Sequence, residues 1–242
     1  MKKSIILCIL TIGLLTLQPS LSFSQSAEDI LEKMIDAQGG RIALEKIQDT
    51  VLTGYMEMIQ QGYGGSLTTY QKEPNKLRMD ATVQGTVIIQ SFDGEKGWRS
   101  NPITGLIEEM PPFIAKDFGR SSLGNDALLN PEKYGIAYTL TGKELLEEKE
   151  YFVLSQNFSD GFKAKLLIDT ETYLMHKTKI TSKNEVGKEV DVETILSDYK
   201  KIEDLFVAHT LVTYQAGKEF MRMTITNVEF NTGLDDTWFI LK

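Results

Sequence analysis

At 242 residues the chain fits one large domain or two small ones, and 41% hydrophobic with 25% charged side chains describe a globular protein. Lys plus Arg total 26 against 34 Asp plus Glu, a formal charge of −8 that argues against nucleic acid as a partner, because phosphate binding needs a basic face. Only two histidines (His176, His209) and one cysteine (Cys8) are present, so zinc sites, histidine-based triads and disulfide frameworks are nearly excluded and no cofactor or metal is expected.

The first 24 residues have the pattern of a cleaved signal peptide. Lys2 and Lys3 precede an apolar stretch over residues 5–17, and Ser22 with Ser24 supplies the small residues for a cut before Gln25. Cys8 lies inside the apolar stretch rather than at the cut, so it is not a lipid-attachment site. The expected mature product is a single domain over residues 25–242, secreted across at least one membrane.

Ser26 followed by Glu28 and Asp29 reads as a capped helix start, with acids at the positive end of the dipole. Ile30, Leu31, Met34, Ile35 and Ala37 follow at helical spacing, and Gly39-Gly40 ends the helix. A second short helical piece covers residues 41–47. Strand patterns then take over at 51–60, 66–72, 77–83 and 86–92, and the tight-turn pair Asp93-Gly94 leads into Gly97, Trp98 and Arg99. Residues 110–131 break the rhythm: the pair Pro111-Pro112 and the spacing of Phe113, Ile114, Phe118, Leu128 and Leu129 predict a helical excursion between two groups of strands. The second group occupies 151–158, 162–168, 173–181, 188–196, 206–214 and 219–230. Its cleanest alternation is Phe162, Ala164, Leu166 and Ile168 on one face, entered from an Asp160-Gly161 hairpin turn. About eleven mostly antiparallel strands with little helix define a mainly β domain. The expected architecture is a curved antiparallel sheet, or incomplete β-barrel, closed by the N-terminal helix and the central helical insertion.

Such a sheet has a concave face that must be filled, covered or occupied by a ligand. Met56, Met58, Met79, Met175, Met221 and Met223, with Tyr55, Tyr70 and Phe92, are soft apolar candidates for it. Alternation alone leaves open whether that interior is full or hollow. The acid-rich run Glu144, Glu147, Glu148 and Glu150 and the pair Asp235-Asp236 have the pattern of solvated faces, and no phosphate loop or nucleophile motif is present, so no enzyme is expected.

The segment at 93–102, DGEKGWRSNP, resembles the D-G-x-x-x-W-x-x-N-P segment of LolA/LolB-like lipoprotein-localisation carriers. Lys72, Glu73, Pro74 and Asn75 are similar to the K-x-P-N pattern that precedes it in that family, and the order of elements matches along nearly the whole mature chain. The resemblance implies an incomplete barrel enclosing an apolar cavity, in a periplasmic protein that holds a lipid or lipoprotein acyl chains and serves outer-membrane lipoprotein sorting. Envelope membrane proteins are the further partners it implies; an envelope sensor or scaffold with a filled interior is the alternative. The expected ligand-binding positions are Met56, Met58, Leu77, Met79 and Ile88 on the wall, Trp98 beside the Asp-Gly turn, and Phe113 and Phe118 on the helical cover. One departure stands out. Dedicated carriers place an arginine directly before the proline corresponding to Pro74, where it helps hold the lid closed; here that residue is Glu73.

Overall fold

The computed structural model describes residues 25–101, 103–183 and 187–241; the expected signal peptide lies outside them. Helix α1 (Ala27–Gln38) starts at a reciprocal cap. The Asp29 amide donates to the Ser26 hydroxyl at 3.1 Å, and the Ser26 amide donates to the Asp29 carboxylate at 2.9 Å. The helix stops at Gly39, whose φ of +132° disfavours side chains and whose missing Cβ leaves room for the Asp204 carbonyl. A short α2 (Arg41–Glu45) follows.

The strands β1 (Asp49–Met58), β2 (Tyr63–Lys72), β3 (Lys76–Val83), β4 (Thr86–Phe92), β5 (Gly97–Ser100) and β6 (Ile107–Glu109) form one antiparallel meander. The chain then leaves the sheet through α3 (Pro112–Ser121), α4 (Asn125–Leu129) and a 3-10 turn at Pro131–Tyr134. A second meander runs through β7 (Ile136–Leu146), β8 (Lys149–Phe158), β9 (Lys163–Asp169), β10 (Met175–Lys183), β11 (Glu189–Ile202), β12 (Leu205–Gln215) and β13 (Lys218–Phe230). Antiparallel pairing of β13 with β1 joins the two meanders into a 13-stranded sheet in the order β6-β5-β4-β3-β2-β1-β13-β12-β11-β10-β9-β8-β7.

The edges of that sheet are β6 and β7, the two strands joined by the helical insertion. They do not pair, so the barrel stays open, and the chain between them runs through α3 and α4. The architecture expected from the sequence is present, with two strands more than the patterns indicated: the extra ones are the two edges. The Asp93-Gly94 turn is also where expected. Asp93 accepts from the amides of Glu95 and Lys96 at 2.9 and 2.7 Å, which sets the β4–β5 hairpin.

The main core lies between α1 and the sheet. Ile30, Leu31, Met34 and Ile35 are buried against Phe152, Leu154, Leu166, Ile168 and Leu205. On the reverse side of the sheet the C-terminal segment is strapped down. Trp238 stacks on Tyr70 with ring centroids 5.2 Å apart, and the Ser91 hydroxyl donates to the Phe239 carbonyl at 2.8 Å. Asp49 gathers the amides of Thr232, Gly233 and Leu234. Burial pushes its carboxyl up, but the Thr232 hydroxyl at 2.7 Å and those three amides together outweigh burial and hold it below the usual carboxylate range.

Candidate functional site: a hollow beneath the central helices

Which strand residues face the helices follows from register. A Cβ on Gly97 would meet the Met110 sulfur at 2.8 Å and the Ala115 Cβ at 3.0 Å, so Gly97 faces α3. Gly97 pairs with Phe92, and Phe92 with Leu77. Because side chains alternate along a strand, Leu77, Met79, Ala81 and Val83 share that face. So do Ile88, opposite Ala81, and Met56 and Met58, through Gly65 and Tyr63. The same face continues from Met56 across Met223 and Leu211 towards β9.

Under α3 and α4, and reaching Met34 and Gln38 of α1, this face borders a half-open cavity of about 670 Å³. Its walls are Ile114, Phe118, Ala127 and Leu128 from the helices, Ile136, Tyr138, Gln156 and Phe158 from β7 and β8, and Phe162, Ala164, Leu166, Met175 and Ile180 from β9, β10 and the turn before β9. A second hollow of about 540 Å³ opens along a different stripe of α3, where Pro112, Ala115, Lys116 and Gly119 face Phe92, Met110 and Phe158. With a void on each stripe, α3 has no buried residue, although its sequence is amphipathic.

The expected binding positions fall into separate places. Phe118 lines the larger cavity. Phe113 lies on α3, half-buried, outside the lining of both hollows. Met56 and Met79, with Met223 and Tyr63, pack on a small cluster of Leu67, Ala81 and Val83 further along the same face. Met58 stands between Tyr63 and Met221 in register, while Leu77 is buried opposite Phe92 and Ile88 is half-buried opposite Ala81. Trp98 is on the other side. It pairs with Ser91, next to Gly97 and therefore facing away from α3, and its ring N–H donates to Asp93 at 3.4 Å. It is a framework residue of the hairpin rather than part of the cavity lining.

The residues that the sequence reading missed are mainly those of β7 and β8, above all Tyr138 and Gln156. The signal that did point here was the Phe162, Ala164, Leu166 alternation, whose apolar face is a wall of the cavity.

Polar contacts at its margins fasten α3. The Ser182 hydroxyl donates to Asp117 at 2.8 Å, and Arg120 and Lys116 both pair with Asp160, at 2.6 and 2.9 Å. Lys116, the Phe162 amide and Arg120 together hold the Asp160 carboxyl well below the usual range. At the α3–α4 junction the Ser122 hydroxyl donates to the Asn75 carbonyl at 2.8 Å and the Gly124 amide donates to the Pro74 carbonyl at 3.0 Å.

Glu73 completes that junction. Its carboxylate accepts from the amides of Asn125 and Asp126 at 2.7 and 3.2 Å, satisfying the first turn of α4. Burial raises its pKa and the neighbouring Asp126 charge adds to this, against the lowering effect of the two amides. The position that carries an arginine in the carriers resembled here therefore ties down the helical insertion by a different chemistry, as a cap.

The two histidines are apart in role. His209 is buried with its Nδ1 2.8 Å from the Val207 carbonyl oxygen, and His176 stacks on Tyr151 at 4.6 Å. Among the described residues no helix is long and apolar enough to cross a membrane.

An open antiparallel sheet wrapped around a central helical insertion is the fold of LolA-like proteins, and solved structures share it over nearly the whole described chain. A domain from Vibrio parahaemolyticus named for outer membrane lipoprotein sorting matches with a TM-score of 0.58 at 18% identity, covering 88% of this chain and 97% of that one. A LolA superfamily protein from Nitrosomonas europaea matches with a TM-score of 0.59 at 12% identity, covering 90% and 99%. A DUF1329 family protein from Desulfovibrio piger matches with a TM-score of 0.59 at 15% identity, covering 90% and 98%. No family model and no curated protein sequence matches the chain.

Proposed function

We propose that the mature protein is a periplasmic binding protein that holds acyl chains of a lipid or lipoprotein in the cavity beneath α3 and α4, in the service of outer-membrane lipoprotein sorting. The observation that carries this reading is the hollow itself. A volume of about 670 Å³ walled by Phe118, Leu128, Phe162, Leu166 and Ile180 is in the range of ligand pockets, and its lining is mostly apolar. Each methylene moved from water into such a wall contributes about 0.8 kcal/mol, so a long chain gains enough to offset its own ordering.

The fold shared with the lipoprotein-sorting domain supports the same reading. So does the signal-peptide pattern of residues 1–24, which would deliver the protein to the compartment where such cargo travels. A filled interior, as a pure sensor or scaffold would need, fits the hollow less well. Catalysis also fits poorly: Glu144 and Glu150 are paired with Lys179 and Lys143 beside the β7–β8 turn, away from the cavity lining.

The test is native purification of the mature protein followed by lipid mass spectrometry, with titration of a fluorescent acyl probe into the delipidated protein. Co-purifying acyl lipid and saturable probe binding are expected. Well-folded protein that carries no lipid and binds no probe would refute carriage.

A further inference from the structure

On β7 and β8 the cavity wall carries a polar pair set between apolar rows; the other polar lining residues, Thr178 apart, lie at the margins. Tyr138 on β7 and Gln156 on β8 are directly opposite in register, and the Gln156 amide nitrogen donates to the Tyr138 hydroxyl at 2.9 Å. The rows on either side are apolar: Ile136 faces Phe158, and Leu140 faces Leu154. Across β8 the next partner of Gln156 is Ala164, which in turn faces Ile180. Both polar side chains line the cavity.

The pair is only half satisfied by itself. Among the described residues the Tyr138 hydroxyl accepts from Gln156 but donates to nothing, and the Gln156 carbonyl oxygen accepts from nothing. Burial pushes the Tyr138 phenol up, so it keeps its proton and remains a donor. A half-buried polar pair of this kind gives little net stability, since each protein hydrogen bond replaces one to water. Phe and Leu would fill the same row. What a free donor in an apolar wall supplies is discrimination: a ligand with an acceptor at the right place satisfies it, and one without leaves it unpaired.

We infer that the Tyr138–Gln156 pair is a carbonyl-recognition point within the cavity, so that the cargo is an acyl group in ester or amide linkage rather than a bare hydrocarbon chain. The Tyr138 hydroxyl would donate to the acyl carbonyl oxygen, and the Gln156 carbonyl oxygen would accept an amide N–H where the linkage has one. This rests on the acyl-binding reading above and deepens it by naming the part of the ligand that is read.

The experiment is calorimetric titration of delipidated wild type, Tyr138→Phe and Gln156→Leu with three probes of equal chain length: 1-lauroylglycerol, its ether analogue 1-O-dodecylglycerol, and N-lauroylglycinamide. Wild type is expected to prefer the carbonyl-bearing probes over the ether by about three- to tenfold, the size of one neutral hydrogen bond. Tyr138→Phe should abolish that preference while leaving ether affinity within about twofold. Gln156→Leu should cost the amide probe more than the ester. Preference for the glycinamide points to N-acylated cargo and preference for the ester to glycerolipid; either supports a carbonyl reader. Equal binding of ester, amide and ether by wild type, or an unchanged preference in folded Tyr138→Phe, overturns the inference while leaving acyl binding in place. Binding of none of the three by folded wild type overturns both. Should Tyr138→Phe not fold, the wild-type preference and Gln156→Leu decide the matter.

Discussion

Helices α1 and α3 both pack on the concave side of one sheet, and both have an apolar stripe, yet they are held in opposite ways. Helix α1 is part of the core: Ile30 and Ile35 are fully buried, with Met34 and Leu31 close behind. Helix α3 buries nothing completely and is fastened at its margins by Asp117, Arg120, Lys116 and Ser122. The difference is what lies beneath. Under α1 the strands present Phe152, Leu154 and Ile168 in close packing; under α3 they stand back around a cavity. A fully buried aliphatic side chain is worth about 1.5–3 kcal/mol, whereas a partly exposed ion pair is worth about 0–1 kcal/mol. One helix is therefore held to the sheet mainly by burial, and the other by polar contacts and by its close approach to Gly97 and Phe92.

The largest expected effect sets the two helices apart by stability. Ile30→Ala should lower unfolding free energy by about 2–5 kcal/mol in urea melts, as a void opens in close-packed surroundings. Phe118→Ala, which enlarges an existing hollow, should cost clearly less; equal losses would erase the distinction. The next effect is on binding. Phe118→Glu should weaken acyl-probe affinity by at least about tenfold while the urea midpoint moves little, because the new carboxylate can reach water at the margin but spoils an apolar wall. A loss of stability without loss of affinity would mean that Phe118 is core.

A smaller effect is the pH dependence of the α4 cap. The Glu73 carboxyl has a raised pKa in the folded chain, so the native state holds that proton more tightly than the unfolded one. Its contribution is therefore fully present below the ordinary glutamate value and is lost as pH climbs from there through the raised pKa. The melting temperature of wild type relative to Glu73→Gln should decline across that window, and parallel curves would contradict the assignment. Asp49 has the opposite sign: its lowered pKa adds stability above the unfolded value that is lost as pH falls through the folded one, a slope that Asp49→Asn should remove. The smallest stability change is expected at the fastening of the cover. Arg120→Ala should cost about 1 kcal/mol or less, yet speed probe dissociation in stopped-flow measurements, with the gap from wild type narrowing at high salt.

Most of the sheet was legible because its central strands alternate cleanly or run between strong turn signals. The stretch read as 86–92 is β4 to the residue, and Asp93-Gly94 and Asp160-Gly161 turn where expected. The two unread strands are the edges. In β7 a glycine at 142 and the charged Lys143 and Glu144 interrupt the alternation, and the turn that follows uses Glu147 and Glu148 at positive φ rather than a glycine signal. Charged residues and short length are how edge strands avoid pairing with other chains, and they dilute the pattern that reveals a strand. Missing β7 concealed Tyr138, and with it half of the polar pair in the cavity. The wall methionines share one face, but Tyr55 and Tyr70, offered with them, point to the other: Tyr55 is next to Met56 in β1 and Tyr70 stacks on Trp238. Period-2 reasoning also cannot say how far a face stands from the helix above it. That distance depends on where α3 is anchored, by Gly97, Phe92 and the junction at 73–75, all contacts between segments distant in sequence.

The central claim is that α3 covers a hollow which acyl ligand fills. Hydrogen–deuterium exchange of α1 and α3, with and without saturating acyl probe, tests it most directly. In free protein the amides of α3 should exchange much faster than those of α1, and ligand should slow α3 while leaving α1 unchanged. Equal protection of the two helices, unaltered by the probe, would contradict it.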